Sequence, residues 1–249
     1  MPLTITLLGT GNYSGTANTL SVTDILPSPN SVLLVDVFTS DLSASPTHEG
    51  LSTTIGDVGA FTQWTLGVAT FSGYTGRSLH TALVGPNPTT GDVTNYENCS
   101  RHVVQVFEIT GDFDYADLLR QVATPGTSNT GSVTATFADA PAASSLVVAS
   151  ASGRDTDVAL VTPPPGYTAL TNVTTGSGDQ HHRVRVAYHD AGPGTDQTWT
   201  DTGTIQAVAV GLEVKDHPPP TEATYRFQFA PLPSDLSAAQ LRYLIGPQT

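Results

Sequence analysis

Two runs near the carboxyl end of the chain decide the fold class: RVRVAYH at residues 183–189 and IQAVAVGLEV at residues 205–214. Bulky apolar residues take every second position from Val184 in the first run and from Val208 in the second. Successive side chains of a β-strand point to opposite faces of a sheet, so this alternation predicts strands with a buried face. We therefore expect an all-β protein.

An upstream segment repeats the plan of this region. An aromatic residue, threonine, any residue, an apolar residue and threonine occur in that order from Phe61 and again from Tyr167, and Ser-Gly follows both. SVLL at 31–34 matches SLVV at 145–148, each four residues after a proline. Because the matches come in the same order, they predict a chain built twice on one plan. The two pseudo-repeats are residues 20–110 and 132–214.

Each pseudo-repeat has about five predicted strands, which leaves two arrangements open. The repeats could form two tandem domains, or they could be the Greek-key halves of one sandwich whose strands interleave. Five strands are a marginal number for burying both sheets of an independent core. We therefore expect the second arrangement, a two-layer antiparallel jelly-roll-like β-sandwich over residues 1–215.

The composition argues against several classes of partner. Only 12% of the 249 residues are charged, the net charge is −13, and Lys215 is the single lysine. Nucleic acid and anionic membrane surfaces attract clustered cations, so neither is an expected partner. The single cysteine, Cys99, excludes an internal disulfide and is expected in the core. No signal peptide and no membrane span of about 20 apolar residues is expected.

The last segment, residues 216–249, differs in texture and is expected to lie outside the sandwich. A proline-rich spacer, stiff because each ring fixes φ, precedes one short aromatic strand and one short helix. These elements carry apolar side chains beyond a completed sandwich. We expect them to form an assembly interface with a neighbouring subunit, with packing on their own domain as the alternative. The interface residues are Tyr225, Phe227, Phe229, Leu236, Leu241 and Leu244.

The histidines and acidic residues do not predict a metal site. His181 and His182 are adjacent, so they point to opposite faces of a regular strand, and His189 lies on the opposite face from His182 as well. The acidic groups around Asp112 and Asp155 lack the spacing of a calcium loop. We therefore expect no metal and no cofactor.

Catalytic residues are not expected either. Carboxylates for glycoside cleavage face each other across a cleft, and nothing in the sequence pairs Glu97, Glu108 or Glu213. Nucleophile-elbow, phosphate-loop and nucleotide-binding motifs are absent from the sequence. Trp64 and Trp199 are candidate glycan contacts, because indole rings stack on sugars. Each also lies in a strand pattern where a core or interface aromatic is common.

Five short motifs resemble β-sandwich proteins of tailed-bacteriophage virions. The motifs are ASSLVV at 143–148, PPGYTAL at 164–170, RVRVAY at 183–188, TWT at 198–200 and AVAV at 207–210. The resemblance covers about residues 130–214 well and residues 20–110 loosely.

The resemblance implies a non-enzymatic structural role in a virion, with a jelly-roll or lectin-like fold and no catalytic residues. The expected function is that of a minor tail protein of the tail tip, which docks through its C-terminal segment and exposes its loops. The alternatives are a capsid-decoration or head-fibre protein and a carbohydrate-binding module for host-surface glycans. Expected partners are other virion proteins, further copies of this chain and host glycans. The expected location is the virion, assembled in the host cytoplasm.

Overall fold

The computed structural model describes most of residues 2–216, and its regular structure is β-strand throughout. The described ranges are 2–17, 19–41, 45–48, 50–70, 73–113, 117–129, 131–155, 162–176, 181–190, 192–200 and 206–216. Within them no helix is long and apolar enough to cross a membrane. The expected strand, helix and interface of the C-terminal segment fall at residues 217–249, outside the described residues, so they stay predictions.

The first half of the chain forms eight strands in two sheets. The strands are β1 (Thr4–Ala17), β2 (Leu20–Ile25), β3 (Val32–Asp41), β4 (Leu51–Thr53), β5 (Thr62–Ala69), β6 (Tyr74–Leu83), β7 (Gly91–Asn95) and β8 (Cys99–Thr110). The first large sheet has the order β1-β8-β3-β6-β5, and the first small sheet has the order β2-β7-β4. All of these pairs are antiparallel. Alternating strands between two such sheets is the connectivity of a jelly roll.

The second half repeats this topology. Its strands are β9 (Leu119–Val122), β10 (Gly126–Ser128), β11 (Ser132–Thr136), β12 (Leu146–Asp155), β13 (Thr168–Ala169), β14 (Val173–Thr175), β15 (His181–His189), β16 (Asp196–Thr200) and β17 (Gln206–Val214). The second large sheet has the order β10-β17-β12-β15-β13, with β9 also on β17 and β14 also on β15, and the second small sheet pairs β11 with β16. Strands β17, β12 and β15 thus occupy the places of β8, β3 and β6.

Two buried glutamates show how closely the halves correspond. Glu108 on β8 pairs in register with Leu33 on β3, and its carboxylate accepts hydrogen bonds from the backbone N–H and the hydroxyl of Ser28. Glu213 on β17 pairs with Val147 on β12 and accepts the backbone N–H of Ala142 at 2.8 Å. Each accepted N–H belongs to the residue after a proline. Equivalent carboxylates therefore hold equivalent proline-containing loops in the two halves.

The two large sheets pack face to face, and each carries its small sheet on the outer side. Leu34 and Phe107 from the first large sheet meet Val148 and Leu212 from the second in a central core. Neighbouring residues on the same strands, such as Leu33, point outward into the first outer core beneath the first small sheet. A second outer core lies between the second large sheet and β11–β16. Apolar residues on both faces of the large sheets produce the unbroken runs seen in the sequence.

The predicted all-β antiparallel sandwich is confirmed, with one large sheet from each pseudo-repeat. The strands do not interleave between the halves, because every sheet takes its strands from one half only. One physical reason lies in short strands that the sequence pattern does not show, such as β4, which is three residues long and completes the first small sheet. With them, each half has enough strands to cover an outer core of its own.

Candidate functional site

An ion pair lies buried at the centre of the molecule, between the two large sheets. Arg77 on β6 and Asp36 on β3 are both 0% exposed, and the guanidinium binds the carboxylate in a bidentate manner, with Nε 3.1 Å from Oδ1 and Nη2 2.7 Å from Oδ2. Gln105 donates its amide to Asp36 Oδ2 at 2.9 Å. Burial lowers the pKa of Arg77, and the Asp36 carboxylate opposes that shift. We call these two residues the central ion pair.

The central ion pair also ties the first large sheet to the second. Arg77 Nη1 donates to the carbonyl of Ala151 at 2.6 Å, and Nη2 donates to the carbonyl of Arg185 at 3.2 Å. Ser150 donates its hydroxyl to Asp36 Oδ1 at 2.5 Å. The charges are therefore neutralised and hydrogen-bonded inside the protein, as buried charges must be. Their arrangement is that of a structural link and offers nothing to a substrate.

A chain of hydrogen-bonded side chains lies on the outer side of the first large sheet. His48 Nε2 is 2.6 Å from Thr39 Oγ1, His48 Nδ1 is 2.7 Å from Ser78 Oγ, and Ser78 Oγ is 2.8 Å from His80 Nε2. The pairing of serine and histidine resembles that of a nucleophile and its base. All four side chains are at most 2% exposed, however. In this conformation no substrate reaches the hydroxyl, so the chain fills the sheet interface.

Burial keeps these histidines neutral. It lowers the pKa of His48 well below its usual value, with His80, His102 and Arg77 adding smaller effects in the same direction. It lowers the pKa of His80 to about 4. His102, whose Nε2 lies 2.7 Å from Asn95 Oδ1, has its pKa lowered to about 4 by burial as well. The first half therefore contains three histidines that protonate far less readily than in water.

The histidines of β15 separate as the sequence predicts for adjacent strand residues. His182 is buried with its ring 5.1 Å from that of Phe38, whereas His181 is partly exposed. Burial first, then the charges of Arg154, Arg101 and His181, lowers the pKa of His182 to about 3. Within the described ranges no three His, Cys, Asp or Glu side chains come together in a group that could hold a metal ion.

The candidate carboxylates are occupied by loop contacts. Glu108 and Glu213 hold the proline loops described above. Glu97 accepts the backbone N–H groups of Thr47 and His48 at 3.1 and 3.2 Å. Each of the three carboxylates therefore accepts hydrogen bonds from a neighbouring loop.

The two tryptophans have different environments. Trp199 is 1% exposed and packs in the second outer core against alanines of the second large sheet, so it is a core aromatic and not a glycan contact. Trp64 is 39% exposed and lies where the register of β5 on β6 shifts between Gln63 and Thr65. Its indole N–H donates to Thr81 Oγ1 at 2.7 Å, which fixes the ring on the sheet. Trp64 alone of the two has a face that a ligand can reach.

An open groove lies close to Trp64, at the end of β6. Its volume is about 560 Å³, and it runs between the turn at Asp57–Gly59 and the β6 end at Leu83–Gly85. Leu83 is 37% exposed and lies two residues from Thr81, the partner of the Trp64 indole. Two residues of a strand span about 7 Å, so the hydrogen-bond partner of the indole lies near the groove, although Trp64 itself is not among the residues that line it. We call this surface the Trp64 groove.

Polar groups on the far side of the groove are held in fixed positions. Asp57 has a φ of 60°, accepts the backbone N–H of Asn87 on its carboxylate at 2.8 Å, and accepts the N–H of Gly85 on its carbonyl at 2.7 Å. Asn30, with a φ of 58°, donates its N–H to the carbonyl of Gly85. Fixed polar groups near the exposed indole of Trp64 suit a ligand that carries polar groups and one apolar face.

The sequence pattern does not predict the central ion pair or the buried histidines of the first half. Arg77 lies in a strand pattern where a charged residue is expected to face solvent, and its partner is 41 residues away in the chain. The one available signal was the presence of Asp36 inside an otherwise apolar run.

Comparison with protein-family models, with curated proteins and with solved structures finds no match for this chain.

Proposed function

We propose that this chain is a non-enzymatic structural component of a bacteriophage virion, of the minor tail type. It docks through its C-terminal segment, residues 216–249, and exposes loops of the sandwich. The phage assignment comes from the motif resemblance at residues 130–214. The structural type comes from one observation: the side chains best suited to chemistry are consumed in contacts between sheets.

That observation supports the proposal of a scaffold over that of an enzyme on physical grounds. An active site keeps polar groups poised toward a cavity, often with a perturbed pKa. In the described part of the chain, the perturbed histidines and the central ion pair face the interior, at 0–2% exposure. The Trp64 groove, in contrast, is lined by Asp57 and otherwise by residues without an ionisable side chain. Buried polar contacts of this kind stabilise the fold, and they leave the surface residues available for contacts with other proteins.

The direct test is the location of the protein. Particles of the phage that encodes the chain are purified by density and analysed by peptide mass spectrometry, and antibody-labelled particles are then imaged. We expect the protein in the particles, with labels at the tail tip. Labels on the head would favour the capsid-decoration or head-fibre alternative. A protein present in the lysate and absent from the particles would overturn the proposal.

A second candidate function is the binding of host-surface glycans at the Trp64 groove, favoured by the exposed indole beside a fixed polar rim. Sugars stack an apolar face on an aromatic ring while their hydroxyls bind polar groups. A glycan array identifies a ligand, and calorimetry compares the wild type with Trp64→Ala. We expect at least about tenfold weaker binding, the size of an interface hot spot. Tyr96→Ala is the control, since Tyr96 is 54% exposed elsewhere on the surface; equal losses in both variants would rule out this groove.

A further inference from the structure

Residues 45–48 cover part of the outer face of the first large sheet without belonging to a strand. The first and third residues of this segment are exposed, whereas Pro46 and His48 are buried. Glu97, in the connection between β7 and β8, accepts the backbone N–H groups of Thr47 and His48 at 3.1 and 3.2 Å. The segment is therefore held by the side chains that it contacts, and we call it the His48 segment.

A glycine of β6 provides the gap that Pro46 and His48 occupy. Gly76 pairs in register with Thr39 on β3, and Thr39 pairs with His102 on β8, so the three positions form one row across the sheet. A Cβ at Gly76 would overlap Pro46 Cγ and lie 3.2 Å from His48 Nε2. The two buried residues of the segment therefore take the space of a side chain that the row lacks.

The contacts of the His48 ring are polar and uncharged. Its two nitrogens contact the hydroxyls of Thr39 and Ser78, and Ser78 Oγ also lies 2.8 Å from His80 Nε2. The backbone of His48 has a φ of 55°, in the left-handed region that strains residues with a side chain. Water can replace each of these polar contacts, so release of the segment exposes mainly groups that water solvates well.

The charges near the ring make a proton on it unfavourable while the segment is in place. The titratable and charged residues on the elements packed against it are Asp36 on β3, Arg77 and His80 on β6, His102 on β8 and Glu97. Asp36 is paired with Arg77 on the other face of the sheet, and Glu97 binds the backbone of the segment. Among these residues none supplies a counter-charge to the ring itself, so an imidazolium there would be buried without compensation.

The second half differs at the equivalent place. Thr39 and Gly153 each lie six residues after the strand partner of the buried glutamate described above. Gly153 pairs with Arg183 on β15 as Thr39 pairs with Gly76, and Arg183 is partly exposed. A long side chain at this position is thus compatible with the shared topology. The gap at Gly76 is a property of the first half and not a requirement of the fold.

We propose that the His48 segment is an acid-released latch: when His48 takes up a proton, Pro46 and His48 leave the gap at Gly76 and open the polar outer face of the first large sheet. The proton comes from solvent and adds to the unprotonated ring nitrogen, and no covalent bond of the chain changes. Release exposes the Ser78 hydroxyl and brings water toward His80. The surface that the first half presents then depends on pH, which goes beyond the proposed virion role and does not rest on it.

Proton linkage sets the sign and the size of the effect. Burial first, then His80, His102 and Arg77, lowers the pKa of His48 well below 6.5 while the segment is latched. The released ring has the ordinary pKa, so the latched state is favoured above pH 6.5 and loses that advantage as the pH falls below it. For this one ring, the ratio of released to latched protein should rise about 25-fold between pH 7 and pH 5.

Amide exchange followed by NMR on the full-length protein measures the release, because Thr47 and His48 lose the Glu97 carboxylate when the segment leaves. Each rate is divided by the intrinsic rate of an unstructured amide at the same pH, which gives an opening constant. We expect that constant to rise at least about 25-fold from pH 7 to pH 5. The amide of Val84, bound to the carbonyl of Ser31 at 3.0 Å in the same half, should open far less often at both pH values.

Three variants sharpen the test. His48→Gln removes the titrating ring and should reduce the change between the two pH values about 25-fold, whether or not His80 becomes hydrated in the same step. His181→Gln, the matched control, removes a partly exposed histidine of β15 and should keep the wild-type change. Gly76→Ala fills the gap, and its backbone accepts alanine because Gly76 has no positive φ. In this variant the segment should already be released at pH 7.

Equal opening constants of Thr47 and His48 at pH 7 and pH 5 in the wild type overturn the proposal. So does a change that persists undiminished in His48→Gln, or an opening as rare as that of Val84, because acid then acts only by unfolding the half. If His48→Gln does not fold, the wild type and Gly76→Ala decide the question. A segment that stays latched in Gly76→Ala at pH 7 would contradict the role of the gap.

Discussion

The two halves of this molecule share one topology but fill their outer cores by different means. The first half places branched aliphatic residues beneath three short strands, with Val22, Ile55 and Val93 facing Val35 of the large sheet. The second half places Trp199 and Phe137 over a floor of small residues. The floor residues are Ala149, Ala151, Ala187, Ala207 and Ala209. A large side chain opposite small ones fills the same space as medium ones opposite each other, so the fold constrains volume more than identity.

The halves also differ in polar content. The first outer layer contains His48, His80 and His102, all buried beside the sheet, whereas the second outer core is mostly aromatic and aliphatic, with the uncharged Gln197 buried beside Trp199. Because the pKa of each of these histidines lies below its value in water, protonation favours the unfolded state. The difference predicts that three histidines make the first half sensitive to acid, with His182 acting in the same direction in the second half, and that the second half is sensitive to loss of volume.

The largest expected effect is on the second half. Trp199→Ala should lower the free energy of unfolding by about 5 kcal/mol, the upper end for large-to-small core changes, because the surrounding alanines are too short to fill the cavity. Urea denaturation followed by circular dichroism measures it. Trp64→Ala is the matched control and should change stability by less than about 1 kcal/mol, since that ring is 39% exposed. Comparable losses at both tryptophans would contradict the assignment of Trp199 to the core.

A change to the central ion pair should separate the two halves. Arg77→Met leaves Asp36 buried without its partner, which costs about 4 kcal/mol. The charge links the first large sheet to the carbonyls of the second, so we expect unfolding to split into two transitions, the first half melting first. Differential scanning calorimetry shows the split. Asp36→Leu/Arg77→Met, which removes both charges, should recover most of the stability; a double variant as unstable as the single one would mean that packing, and not the charge, explains the loss.

Acid should weaken the first half through His80. Its folded pKa of about 4 lies below the unfolded value of 6.5, so its contribution is fully present above pH 6.5 and is lost as the pH falls toward 4. The loss is about 1.4 kcal/mol per pH unit, or about 3 kcal/mol over that window. Urea midpoints measured between pH 4 and 7 give the slope for the wild type and for His80→Gln. The variant should have the shallower slope, and parallel curves would refute a buried neutral histidine at this position.

The smallest expected effect on stability is that of removing residues 218–249. If this segment is an assembly element, the truncated protein should keep its melting temperature within about 2 °C and lose its incorporation into particles. A fall in melting temperature of several degrees with normal incorporation would instead favour packing of the segment on its own domain.

The sequence predicted what depends on periodicity and missed what depends on distant pairing. The apolar run at 32–35 predicts a strand covered on both faces, and Leu33 and Leu34 do lie in different cores. Strands of two or three residues, such as β13, are too short to show alternation. The same limit applies to the candidate site, because the surroundings of Trp64 and Trp199 are set by other strands. The alternation of apolar and polar residues predicts the two faces of one strand, but the strands that pack against it decide which of its side chains are buried.

The central ion pair has a consequence for the symmetry of the chain. Asp36 pairs with Gln105 on β8, and Ser150 pairs with Val210 on β17, so the two residues hold equivalent places in the two halves. Their side chains touch each other. In a dimer of identical jelly rolls, two such aspartates would face each other in a dry interface, and like charges there are prohibitive. One covalent chain allows one half to supply the acid and the other to supply a hydroxyl. The interface between the two halves therefore resembles that of an obligate heterodimer, and the covalent link fixes the ratio of the two halves at one to one.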